Sequence, residues 1–131
     1  MTIELRMLTL SVVLGIVQIV AASHAASLQR GYRWSASPRD ETMPPLQGVA
    51  GRLNRALRNF VETFPLFAAV VLAAQVSDTH NALTEWGAHL YFWARVAYVP
   101  FYVAGVPLLR SLVWNVATIG IVLIIVALVF G

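Results

Sequence analysis

Four polar residues, Arg55, Arg58, Asn59 and Glu62, stand within eight positions of one another, immediately before a run of apolar sequence from Leu66 to Ala74. At helical spacing Arg55, Asn59 and Glu62 share a face, with Arg58 beside them. A second set, Arg95, Tyr98 and Tyr102, repeats that spacing in another apolar stretch, and Arg110 with Ser111 follows shortly after. Charged groups at membrane depth are costly, so they face a protein interior or a wet cavity and usually act there. If the two stretches are antiparallel helices, Glu62 and Arg95 each lie ten residues from the Arg-rich end. That is roughly 15 Å at the usual rise. Equal depth predicts an ion pair between them, with Asn59 near Tyr98 and Arg55 near Tyr102. A structural reading is also open, in which Glu62–Arg95 and Asn59 only join helices. It accounts for one arginine but leaves Arg55, Arg58 and Arg110 converging without an acid. Surplus cation in one pocket calls for an anionic ligand, and guanidinium forks suit carboxylates.

The elements that must hold these residues follow from composition. The chain has 131 residues, 59% of them hydrophobic and 11% charged, with a mean hydropathy of +0.73. These values describe a membrane protein of a single domain over residues 1–131. Spans are predicted over about 8–27, 49–75, 82–105 and 107–130. The second of these has a polar first half that a hydropathy window underrates. Residues 28–48 form the one long connection, broken by Pro44-Pro45, and Gly105-Val106-Pro107 makes a tight turn. Small-x-small Ser23-His24-Ala25 also resembles a signal-peptide cleavage site. Glu4 offsets Arg6, however, which favours a retained helix.

All nine basic residues are Arg, and there are no cysteines. Thiolate chemistry on the protein itself and disulfides are therefore excluded. The arginines gather at residues 30–58 and at 110, which places the 28–48 loop in the cytoplasm by the positive-inside rule. Arg30, Arg33 and Arg39 read first as topology determinants facing anionic lipid, with Arg30 or Arg33 also able to lend a fork to the pocket. The pI near 10 does not indicate nucleic acid, because the charge follows membrane side. His24, His80 and His89 share no metal-ligand spacing, so no metal is expected. Trp34, Trp86, Trp93 and Trp114 read as belt or packing residues, and Gly15, Gly105 and Gly120 as points of close helix approach.

Arg55-Ala56-x-x-Asn59-x-x-Glu62-x-x-Pro65 resembles the signature of the MAPEG family (membrane-associated proteins in eicosanoid and glutathione metabolism). Ala94-Arg95-x-x-Tyr98, Tyr102 and Arg110-Ser111 resemble that family's third span and the start of its fourth, and the run from Tyr98 to Trp114 is most like bacterial members. Leu57 departs from the polar residue common in eukaryotic members, and Thr63 from the aromatic residue that some members carry. The resemblance implies an all-α integral membrane protein, a left-handed bundle of four transmembrane helices assembled as a homotrimer in a bacterial inner membrane. It implies glutathione as co-substrate, held by Arg55, Arg58, Asn59, Glu62, Arg95, Tyr98 and Tyr102. Arg110 or Ser111 would hold the thiol as thiolate. The implied activity is that of a transferase or peroxidase acting on a hydrophobic electrophile from the bilayer. The alternative is a non-catalytic membrane protein that binds a small anion or lipid headgroup.

Overall fold

The computed structural model describes all 131 residues and contains five helices and no strand. These are α1 (Ile3–Arg30), α2 (Tyr32–Ala36), α3 (Gly48–Val76), α4 (Ala82–Val103) and α5 (Pro107–Phe130). Each boundary has a local cause. The Thr2 hydroxyl accepts from the Leu5 N–H at the start of α1, and Asn81 forms a reciprocal capping box with Thr84 at the start of α4. Pro107 opens α5, where its missing N–H costs no helix bond. Gly31 and Gly105 take positive φ, 97° and 74°, at the turns that end α1 and precede α5. Gly105 thus serves the tight turn expected there, and only its reading as a point of close helix approach is corrected.

The three later spans lie within two residues of their predicted bounds. The first is longer than predicted, because α1 already begins at Ile3. The short helix α2 is an addition inside the long connection.

The four long helices pack against one another. Helix α4 touches α1, α3 and α5, and α3 likewise touches the other three, while α1 and α5 do not meet. Helices α1, α3 and α5 are each long and apolar enough to cross a membrane. The hydropathy reading of the second span is therefore corrected: its second half carries α3 past that threshold. It is α4 that falls short, since its residues include Glu85, His89 and Arg95 among many aromatics.

Small residues and polar clasps bring the helices together. The buried stripe of α1, Glu4, Met7, Ser11, Gly15, Gln18 and Ala22, follows one helical face. A side chain at Gly15 would meet the Phe60 ring of α3 at 3.0 Å. Gly87 and Gly120 let α4 and α5 approach until a Cβ on either would stand 2.5 Å from the other's carbonyl oxygen. At the Glu4 end, the buried Thr84 hydroxyl donates to Glu4 Oε1 at 2.8 Å, and His80 Nδ1 lies 3.2 Å from Glu4 Oε2. That clasp ties the start of α1 to the α3–α4 turn and to α4. At the opposite end, Gln29 and Gln47 bind reciprocally. The Gln29 amide donates to the Gln47 carbonyl at 3.1 Å, and the Gln47 N–H donates to the Gln29 side-chain oxygen at 2.9 Å. Between them Trp34 lies against the guanidinium groups of Arg30 and Arg39, and its indole N–H donates to the Glu41 carbonyl.

Candidate functional site

Helix α3 presents two polar edges. One, Asn59 and Thr63, points at α4. The other, Arg55, Arg58 and Glu62, is exposed in this chain. Three antiparallel rungs join α3 to α4. Arg55 Nε donates to the Tyr102 hydroxyl at 3.2 Å, Arg95 Nη1 donates to Asn59 Oδ1 at 2.7 Å, and the Thr63 and Tyr91 hydroxyls lie 3.0 Å apart. Below them the Phe67 and Tyr91 rings stack with centroids 4.0 Å apart.

The expected Glu62–Arg95 ion pair is absent from the chain; the only ion-pair contacts are those of His80 with Glu4 and Asp78. The reason is rotational. Three residues of helix fall about 60° short of a full turn and four overshoot it by about 40°. From Asn59 on α3, Thr63 continues along the line of contact with α4 while Glu62 turns away from it. Depth matching located the right turn of helix but not the right side chain.

Arg95 is completely buried, at 0% exposure. Its guanidinium lies 4.2 Å from the Tyr98 ring centroid and 5.6 Å from that of Phe60. Nε and Nη2 have no hydrogen-bond partner. Two aromatic faces and one amide oxygen surround this cation in place of a carboxylate. Holding the Asn59 oxygen leaves the Asn59 amide only N–H groups to offer elsewhere.

On the exposed side of these rungs lies a cavity of about 450 Å³ between α3, α4 and α5. Eight of the nine residues singled out from the sequence line it: Arg55, Arg58, Asn59, Glu62, Tyr98, Tyr102, Arg110 and Ser111. The ninth, Arg95, stands behind the wall and is not part of it. Three guanidinium groups therefore face one carboxylate. Arg110 sits with its guanidinium 4.8 Å from the Tyr102 ring centroid, and Arg55 lies 5.9 Å from the same ring. The Tyr98 and Tyr102 rings are 5.6 Å apart, which makes an aromatic shelf under two cations. Helix α4 is fixed at this end by Arg52, whose Nη1 donates to the Val103 carbonyl at 3.0 Å.

Trp114 and Asn115 also line the cavity. Trp114 reads from the sequence as a belt or packing residue, yet it stands four residues after Arg110, as Asn115 does after Ser111. That spacing puts each pair on one face of α5 and is the signal by which both could have been found. The Asn115 amide donates to the Ser111 carbonyl at 2.9 Å.

Arg55 and Arg58 also border a second cavity, of about 590 Å³, on the α1 side. Arg30 and Arg39 line it together with Ser23, Ser27 and Asn54, and no acid does. Of the two loop arginines that could assist the pocket, Arg30 is therefore brought next to its arginines. Arg33 lies elsewhere, beside Asp40 and Glu41.

The arrangement can hold an anion with more than one acidic group, and it can offer a cation and a hydroxyl, Arg110 and Ser111, to a further atom of that ligand. Residues 7–130 match the family model of the MAPEG family. No curated protein matches the chain. Together with the three apolar helices, the match makes this an integral membrane protein.

Proposed function

The chain belongs to the MAPEG family, and from that premise we propose that it is a glutathione-dependent transferase or peroxidase acting on a hydrophobic electrophile delivered by the bilayer. The observation that carries this reading is the charge of the cavity, three arginines against a single Glu62. Glutathione has two carboxylates, one ammonium and a thiol, so its net charge complements that wall. Arg55 and Arg58 bind the carboxylates through paired N–H donors. Glu62, free of Arg95, accepts from the ammonium. Asn59, its oxygen held by Arg95, donates to a peptide carbonyl. Tyr98 and Tyr102 contribute hydroxyls and an apolar floor.

Arg110 stands at the start of α5, where its cation stabilises a thiolate over a thiol, and the Ser111 hydroxyl donates a hydrogen bond to the same sulfur. Bound glutathione supplies the nucleophile, since the thiolate and not the thiol attacks. Trp114 offers an apolar surface beside Ser111 on which a lipophilic electrophile can lie. Four spans, α1, α3, α4 and α5, form a left-handed bundle in the bacterial inner membrane, with the loop between α1 and α3 cytoplasmic. Three copies assemble so that the exposed edge of α3 meets protein and not lipid.

One observation favours a second reading. The acid-free cavity lined by Arg30, Arg39, Arg55 and Arg58 suits a small anion or an anionic lipid headgroup without any chemistry. Calorimetric titration of the purified protein with glutathione and with S-hexylglutathione separates the two. Saturable binding of both, with turnover of a simple aryl halide, supports the enzyme. Binding of phosphate or phosphatidylglycerol with no response to glutathione or its S-hexyl derivative supports the binding protein and removes the enzyme reading.

A further inference from the structure

The outward face of α4 carries an opening that shares no residue with either cationic cavity. It is a groove of about 560 Å³. Trp86, Leu90 and Trp93 of α4 and Ile3 of α1 form its walls, and Glu85 and His89 are its polar groups. Both indoles stand open, Trp86 at 64% and Trp93 at 58% exposure. Glu85, His89 and Trp93 recur every fourth residue, so they descend a single face. The Trp93 N–H donates to His89 Nδ1 at 3.2 Å. That bond satisfies the indole's one donor internally and leaves hydrocarbon along the lower wall. Glu85 has no ion-pair partner in the chain. The groove therefore has an acidic end and an apolar end, about 12 Å apart over eight residues of helix.

Helix α4 packs among α1, α3 and α5. All three are apolar enough to span, so the outer face of α4 meets lipid. An unpaired carboxylate about one turn inside that face is costly. No arginine lines the groove, so the compensating cation must arrive with the occupant. We infer that this groove binds a bilayer phospholipid whose headgroup ends in a primary ammonium. The ammonium sits on Glu85, and one acyl chain runs along Leu90 between Trp86 and Trp93. An anionic headgroup would meet like charge at Glu85. The indoles suit such a site, since their rings favour the headgroup boundary. The inference requires that the protein lies in a membrane and that this face stays clear of contacts between copies, and it is independent of glutathione.

The test is fluorescence quenching in vesicles of phosphatidylcholine. The full chain carries Trp34→Phe and Trp114→Phe so that only Trp86 and Trp93 report. Phosphatidylethanolamine or phosphatidylglycerol with brominated acyl chains is added. The expected result is a roughly threefold to fivefold preference for phosphatidylethanolamine, the scale of one solvent-accessible ion pair. Glu85→Gln should remove that preference without changing quenching by brominated phosphatidylcholine. Native mass spectrometry of the unsubstituted protein, in which retained phosphatidylethanolamine should outnumber phosphatidylglycerol, gives the same comparison if the double Trp variant does not fold. Equal quenching by both lipids, or a preference that survives in Glu85→Gln, overturns the inference. So does loss of assembly on Trp86→Ala, which would make this face a contact between copies of the chain.

Discussion

A guanidinium buried without an acid is the sharpest residue-level feature. Arg95 rests on the Asn59 oxygen and two aromatic faces, so the loss of Asn59 would strand it. Asn59→Leu should therefore destabilise the protein by about 3–5 kcal/mol. The double change Asn59→Leu/Arg95→Met should cost much less, because it removes the charge with its partner. Thermal unfolding followed by circular dichroism in detergent measures both, and equal losses would show that the bond carries little. On the cavity side, Arg110→Ala should lower turnover about tenfold to a hundredfold while leaving glutathione affinity nearly intact. Arg55→Ala should weaken binding about tenfold, the scale of one charge-assisted hydrogen bond. Thiolate absorbance of the complex across pH checks the first. If wild type and the Arg110 variant titrate together, Ser111 becomes the better candidate for activation. Most of the pocket was legible as spacing, because helical periodicity alone brings Arg55, Arg58, Glu62, Tyr98 and Tyr102 to one side. The partner of Arg95 was not legible. Asn59 and Glu62 sit on neighbouring turns, and only the rotation of α3 about its axis chooses between them.

At the scale of elements, α4 is the organiser. It is the one long helix that falls short of spanning hydropathy, yet it contacts all of the others. Its first turn is held by the Glu4–Thr84–His80 clasp. Thr84→Val should cost about 1–3 kcal/mol, since it leaves a buried carboxylate oxygen without its donor. The same unfolding measurement checks this, with Thr84→Ser expected to restore most of the loss. Neither this clasp nor α2 could be read from the sequence. Glu4 appeared only as a charge offsetting Arg6, and its burial depends on a residue eighty positions away. Helix α2 is a single turn and a half held on α1 by the Ser35–Ser27 and Tyr32–His24 hydrogen bonds and by Trp34 against Arg30, and not by periodicity. The later helix boundaries were legible because Gly, Pro and Asn at Gly105, Pro107 and Asn81 act through local backbone chemistry.

At the scale of the whole molecule, the exposed edge of α3 sets a requirement. Arg55, Arg58 and Glu62 share it with Val61, Leu66, Leu72 and Val76, all strongly exposed in one chain. Charges on such a mixed edge are poorly tolerated by hydrocarbon. The proposed threefold assembly would enclose them, and native mass spectrometry in mild detergent should then give a trimer. Placing Leu66→Arg on that edge should shift the population to monomer, whereas the same change at Val129, exposed at the far end of α5, should not. A monomer in wild type under all conditions would remove the assembly from the reading.

The reciprocal Gln29–Gln47 bonds have a practical consequence. They close the connection between α1 and α3 at its base, so the helices do not sense the length of what lies beyond. Added residues change only the closure entropy, by about 0.6 kcal/mol for each doubling of length. An epitope inserted between Glu41 and Thr42, both exposed, should leave the fold intact and be read by antibody from one face of the membrane alone. This stretch is thus a permissive port through which the orientation of the protein in a living cell can be determined directly.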